Sequence, residues 1–349
     1  VQVLVLEQWW RMVVAEFGDV APGPAETLVE VLATGICGSD IHGYTGENGR
    51  RRPGQVMGHE TVGRVLEHGD AAAYSSLPAG TVVTLNPVVG CGACAACTRD
   101  AEQACPQRTV IGVAPDIPAA FAERMIAPTR NLVPLPEGAA WELGALVEPL
   151  AVGYHAARRG SCGPDDAVLV VGGGPIGQAC VLAAWRLGAS AVAVSETNDA
   201  RRQLLDELGT VTIDPSAGEL KRQAVSRLGR RPTLVIDAVG SEPTITAALE
   251  IADVGARVVL VGMAQPHIPL SAYRISTEER TLIGSFCYTS AEFRETAEWI
   301  ATAPQPLDRL IEGRVDLAGA PDAFEALARG TAAASKVLVY PNGLTIGAA

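Results

Sequence analysis

The chain has 349 residues, of which 48% are hydrophobic and 19% charged, with a net charge of -12. That is too long for one ordinary core and too apolar for disorder, and it suits two domains. No apolar run approaches the ~20 residues that span a bilayer, no Lys/Arg-rich run invites nucleic acid, and VQVLVLEQWW lacks the marks of a signal peptide, so a cytoplasmic, acidic, globular protein is expected.

Residues 1–150 carry short β-branched runs between Gly and Pro: TLVEVLATG at 27–35, TVGRVLEHG at 61–69 and GTVVTLNPV at 80–88. These predict an irregular β-rich domain. Within it Cys37 lies in TGICGSDIHGY and His59 in VMGHETVGRV, each followed closely by a carboxylate, Asp40 and Glu60. Cys91, Cys94, Cys97 and Cys105 then crowd one loop, about 88–106. Four thiolates at such spacing suit a closed tetrahedral zinc better than free thiols or a disulfide in a reducing compartment. Glu148, among the apolar neighbours of ALVEPLAVGYHAARRG, is a buried charge in want of a partner, and metal is one. A mixed sulfur, nitrogen and oxygen set with an open position is what a catalytic zinc needs.

After Gly160 the rhythm changes to alternation. Strands are expected at 167–174, 191–196, 210–214, 233–240, 256–263 and 281–286, with helices running to about Gly188 and over 199–209, 218–229 and 243–252. This predicts right-handed βαβ units on a parallel sheet. Gly172, Gly174 and Gly177 form G-x-G-x-x-G, with Pro175 and Ile176 in the turn, directly after a strand and at the head of a helix. That context points to a dinucleotide. Glu196 ends the next strand about 20 residues on, where an acid accepts the ribose hydroxyls of NAD and repels a 2′-phosphate. Arg201 and Arg202 argue for the phosphate of NADP. SKVLVYP at 335–341 reads as a strand that rejoins the first domain.

The motifs TGICGSDIHGY, GHETVGRV, the four-cysteine loop, EPLAVGYHAARRG, GGGPIG and GARVVLVG, in this order, resemble the zinc-dependent medium-chain dehydrogenases, in their sorbitol, threonine and butanediol dehydrogenase branch. The resemblance covers nearly the whole chain. It implies a GroES-like β-rich catalytic domain (1–151 and 287–349) around a Rossmann doubly wound domain (152–286), two zinc ions per chain and NAD. Catalytic zinc would be held by Cys37 and His59 with Glu60 and Glu148 as direct, exchangeable or water-mediated ligands. Structural zinc would take Cys91, Cys94, Cys97 and Cys105. Asp40 would orient His59, and Ser39 and His42 would pass the alcohol's proton towards solvent. The family's GGFAEY segment stands here as AAFAERM (119–125), and its GG before the fifth Rossmann strand as VGA (254–256).

The implied reaction is reversible hydride transfer between a secondary alcohol and NAD, giving a ketone. Where polyol-specific members carry an arginine, this chain has Cys287, then Tyr288. A secondary alcohol or diol of modest polarity is therefore expected ahead of sorbitol or xylitol, with a polyol or threonine dehydrogenase as the alternative. Cys287, Tyr288 and Tyr44 are expected to line that pocket. A non-catalytic nucleotide-binding protein and a zinc-free reductase are disfavoured by the intact ligand set. A homodimer or homotetramer is expected, with the 281–286 strand as a free edge.

Overall fold

A computed structural model of the chain describes residues 1–344 apart from Asn48, 71–73, Ser75 and Ala333. Contacts divide it into two compact units, Val1–Glu148 with Thr289–Ala349, and Pro149–Tyr288. The crossings fall at Glu148 and Tyr288, three residues before and two after those expected from sequence.

The first unit opens on β1 (Gln2–Gln8) and β2 (Arg11–Glu16), an antiparallel hairpin. Then come β3 (Glu26–Gly35), helix α1 (Gly38–Thr45), β4 (Gln55–Val56), β5 (Glu60–His68) and β6 (Val82–Leu85). The short strands β7 (Val88–Val89) and β8 (Thr109–Val110) pair across the cysteine loop, and β9 (Arg124–Pro128) and β10 (Leu132–Pro134) follow. β3 is the spine: antiparallel to β5 along its length, and to β9 over residues 26–30. Its inward residues Val29 and Val31 pack with Val65, Val83, Leu85 and Met125, the alternation expected of a half-buried strand.

Helix α2 (Val147–Arg159) leads into the second unit. There β11 (Ala167–Val171), β12 (Ala191–Ser195), β13 (Val211–Ile213), β14 (Leu234–Asp237), β15 (Arg257–Leu260) and β16 (Thr281–Gly284) form a parallel sheet in the order β13-β12-β11-β14-β15-β16. Helices α3 (Pro175–Arg186), α4 (Asp199–Glu207), α5 (Leu220–Leu228), α6 (Glu242–Ile251) and α7 (Ala272–Thr277) connect them. All five residues of β11 are buried, because a central parallel strand has helices on both faces. Hence AVLVV is a continuous apolar run with no alternation. The order reverses between β11 and β14, which places the binding crevice at the carboxyl end of β11.

The chain returns to the first unit through α8 (Ser290–Trp299), capped reciprocally by Thr289 and Glu292, then β17 (Gly313–Asp316), α9 (Ala320–Ala328) and β18 (Val337–Tyr340). β18 pairs antiparallel with the end of β3, completing the sheet β10-β6-β5-β3-β18-β17. This pairing sets Lys336 beside the segment that carries Cys37. Among the described residues no helix is long and apolar enough to cross a membrane.

Candidate active site

Cys37 is the residue before α1, and the capping of that helix builds one wall of the site. The Cys37 backbone N–H donates to Asp40 Oδ2 at 3.2 Å, closing a capping box across the first turn. His59 and Glu60 follow Gly58 into β5, where Gly35 and Glu60 are partners in the β3–β5 ladder. Donor atoms of Cys37, His59 and Glu60 lie within 4.8 Å of one another, with His59 and Glu60 buried and Cys37 half-buried. The Asp40 carboxylate stands 3.4 Å from His59 Nδ1. Burial alone would push the His59 pKa down, but the Asp40 charge and then Cys37 outweigh it and hold it well above the ordinary value. For Asp40, burial pulls upward, and His59 and Arg51 together bring its carboxyl below the usual carboxylate range.

Two residues here have no counterpart among the sequence expectations. Lys336, from the residue before β18, is buried and donates to both oxygens of Glu60, at 2.7 Å for Oε1. Burial lowers its pKa and the Glu60 charge more than restores it, so the ammonium is kept. Arg51, also buried, donates to Asp40 Oδ1 at 3.1 Å. Lysine is rare in this chain, Lys221 and Lys336 being the two, so a lysine in the apolar run SKVLVYP was a readable signal. Arg51 gave none, sitting in the polar run GRRRP.

Glu148 lies apart from the three-residue group. It is buried at the start of α2, near enough to Lys336 for its charge to raise that pKa. Ser39 and His42 project from α1 three positions apart; His42 is exposed and its Nδ1 is 3.0 Å from Glu47. Tyr44 corrects an expectation. Its ring is buried against Trp10 and Phe324, and its hydroxyl donates to the Trp10 carbonyl at 2.8 Å. Residues two apart on a helix face different ways, so an outward His42 turns Tyr44 into the core. Cys287 is half-buried with φ +50°, and Tyr288 is buried.

The four-cysteine loop holds its sulfurs at metal spacing. Cys94 Sγ is 3.6 Å and Cys91 Sγ 3.9 Å from Cys97 Sγ, and all four sulfurs lie within 4.8 Å of one another. Zinc–sulfur bonds of about 2.3 Å in a tetrahedron require edges of about 3.8 Å, so this donor set fits zinc. Backbone N–H groups of Ala93 and Cys94 lower the Cys91 thiol to about 6, whereas burial lifts Cys97 to about 12. The Cys37, His59 and Glu60 set fits a zinc of the other kind, with fewer protein ligands and mixed donors.

At the head of α3 two of the three glycines meet distinct demands. Gly172 has φ +94°, and a Cβ on Gly177 would lie 1.8 Å from the Gly172 carbonyl oxygen, so neither position admits a side chain. Pro175 occupies the first turn of α3, where the N–H groups beyond it, with the helix dipole, can receive a pyrophosphate. Glu196 is buried; its Oε2 accepts from the Gly173 N–H and its Oε1 from the Asn198 N–H, each at 2.8 Å. Arg201 Nη1 stands 3.7 Å from that carboxylate.

Comparison with known proteins decides the family. The family model for the alcohol dehydrogenase GroES-like domain matches residues 23–137, and that for zinc-binding dehydrogenases matches 175–302. The chain is 32% identical to 2-dehydro-3-deoxy-L-galactonate 5-dehydrogenase of Pseudoalteromonas atlantica, over 89% of this chain and 90% of that one. It is 31% identical to L-galactonate-5-dehydrogenase of Escherichia coli, over 93% and 94%. The chain belongs to the zinc-dependent medium-chain dehydrogenases. Among solved structures, one from Sinorhizobium meliloti described as a zinc-binding dehydrogenase, bound to NADP, has a TM-score of 0.89 at 31% identity, covering 97% of this chain and 99% of that one. Like other zinc-dependent medium-chain dehydrogenases, this chain joins a GroES-like unit to a Rossmann unit. It is an oxidoreductase that uses zinc and a nicotinamide cofactor to transfer hydride from a secondary alcohol.

Proposed function

We propose that the enzyme oxidises a secondary hydroxyl on a polyhydroxylated chain, of the aldonate or polyol class, with NAD, through Cys37, His59 and Glu60. The single observation that carries the reaction is the convergence of those three donors within 4.8 Å. The bound groups supply Lewis acidity at the hydroxyl and a hydride acceptor. Ser39 takes the hydroxyl proton, and His42, one helical turn on and exposed, hands it to solvent with Glu47 at its Nδ1. Asp40 keeps His59 in orientation, as metal-bound imidazoles require. Lys336 neutralises Glu60 and thereby leaves the ligand set less negative. Glu148 serves as an outer ligand. Cys91, Cys94, Cys97 and Cys105 hold a second, structural zinc.

NAD is favoured by Glu196, whose carboxylate stands where a 2′-phosphate would be repelled, although Arg201 lies beside it. The substrate class is supported by the relatives' names, which specify hydroxylated sugar acids. A less polar diol is the second reading, favoured by Cys287, a small weak donor at the expected pocket position. The deciding experiment compares kcat/KM for L-galactonate, sorbitol and butane-2,3-diol with NAD and with NADP. Preference for the aldonate or polyol with NAD is expected; a ten-fold preference for butanediol would transfer the reading to the diol.

Pairing of copies through the edge strand β16 is supported by the exposed Met263 and Tyr273 in the same unit. The expected product is a homodimer or homotetramer. None of the eight cysteines is in a disulfide, which supports a cytoplasmic setting.

A further inference from the structure

Helix α1 has no side chain at Gly43, and Arg51 uses the gap. A Cβ on Gly43 would lie 2.3 Å from the Arg51 Cγ, so the arginine stem lies flat against the helix backbone there. This route delivers a guanidinium whose side chain is 1% exposed to the Asp40 carboxylate, which is wholly buried. Nη2 donates to Asp40 Oδ1 at 3.1 Å and touches Ser39 Oγ at 3.5 Å. Nε and Nη1 are buried without a hydrogen-bond partner.

A residue kept only for packing is a poor account of that arrangement. Burying a cation with unmade donors costs free energy, and an apolar side chain would fill the space against Gly43 without that cost. What the guanidinium does have is one end of a chain of contacts. The same Oδ1 lies 3.4 Å from His59 Nδ1, and Oδ2 accepts from the Cys37 N–H. A single carboxylate thus joins two members of the ligand group, and Arg51 is the charged contact on the oxygen that faces His59.

We propose that Arg51 is a positioning residue: it locks the Asp40 carboxylate against Cys37 and His59, so that the imidazole keeps its other ring nitrogen aimed at the metal. The inference rests on the reading that Cys37, His59 and Glu60 hold zinc. It assigns the buried ion pairs complementary tasks, Lys336 balancing Glu60 and Arg51 balancing and orienting Asp40.

The test is zinc release from the holoenzyme to the chromogenic chelator 4-(2-pyridylazo)resorcinol, which separates the two metals by rate. The four-cysteine zinc should leave the Arg51→Met variant at the wild-type rate, while the second zinc leaves about ten-fold faster or more, the scale of lost outer-ligand support. Arg51→Lys, which keeps the charge but not the planar fork, should fall between. Because Arg51 acts through Asp40, Asp40→Asn combined with Arg51→Met should release zinc no faster than Asp40→Asn alone. Additive effects in the double variant would overturn the proposal, as would wild-type release from Arg51→Met. If Arg51→Met does not fold, faster release from Arg51→Lys still decides in favour, and wild-type release from it decides against. A zinc content left unchanged by Cys37→Ser would remove the catalytic-zinc reading and this inference together. Two zincs with unaltered release in the variants would remove this inference only.

Discussion

Lys336 is one of the positions where a single change should be felt most. Its ammonium is the counter-charge to Glu60, and both side chains are nearly inaccessible to water. In the zinc-free protein Lys336→Met would leave a buried carboxylate unpaired, which costs about 3–5 kcal/mol; urea unfolding of that form should show a loss of that order, and Lys336→Arg a smaller one. An unchanged midpoint would mean that Glu60 takes up a proton or finds water at little cost. The candidate ligands Cys37, His59 and Glu60 could be read from sequence because glycine-framed metal motifs are local. Lys336 could not be paired with Glu60 that way, since 276 positions separate them and only the β18–β3 pairing unites them. Tyr44, expected to line the pocket, packs on Trp10 and Phe324 instead, because residues two apart on a helix face different ways and His42 takes the outward direction.

At the scale of elements, the cysteine loop and the end of the first unit's sheet make separate claims. The loop lies between β7 and β8, two strands of two residues each, which pair too briefly to hold it alone. Cys94→Ser should therefore remove one zinc per chain by elemental analysis and lower Tm by several degrees while Cys37 retains its metal. Elsewhere, Arg314 of β17 and the Tyr340 hydroxyl of β18 both donate to Glu142, tying both strands to the turn before α2. The Arg314 hydrogen bond, opposed by partial burial, lowers the Glu142 pKa below 4.5. A depressed carboxyl pKa contributes stability that is complete above the unfolded value and lost as pH falls through the folded one. Glu142→Gln should thus cost about 1 kcal/mol near neutrality, the group being partly exposed, and that difference should shrink as pH falls through the lowered carboxyl pKa and vanish once the carboxyl is protonated. A difference that does not shrink with acidification would assign the effect to packing. The Rossmann strands and α3 to α6 were legible because βαβ alternation writes long apolar runs between helices of regular length, whereas the six-residue α7 was not. In the other unit α1, α8 and α9 were not, since short helices between irregular strands carry too few turns for a period to show.

On the scale of the whole chain, two units are built from three stretches of sequence, and each contributes one half of the chemistry. The four-cysteine loop and the Cys37 group belong to the first unit, the glycine turn and Glu196 to the second. The division was legible because composition changes near Gly160, while the positions of the crossings were not, as α2 runs through one of them without a break. Assembly can be examined at this scale too: light scattering at micromolar concentration should give a dimer or tetramer, and a monomer would refute pairing through β16. The central claim is that Cys37 and its neighbours hold the zinc on which hydride transfer depends. Its most direct test is zinc content measured alongside alcohol-dependent NADH formation in wild type and Cys37→Ser. Wild type should hold two zincs per chain, and Cys37→Ser one, with turnover lower by roughly a thousand-fold or more, about 4 kcal/mol in the barrier, and Tm nearly unchanged. A Cys37→Ser enzyme that keeps both zincs, or keeps its turnover, would contradict the account.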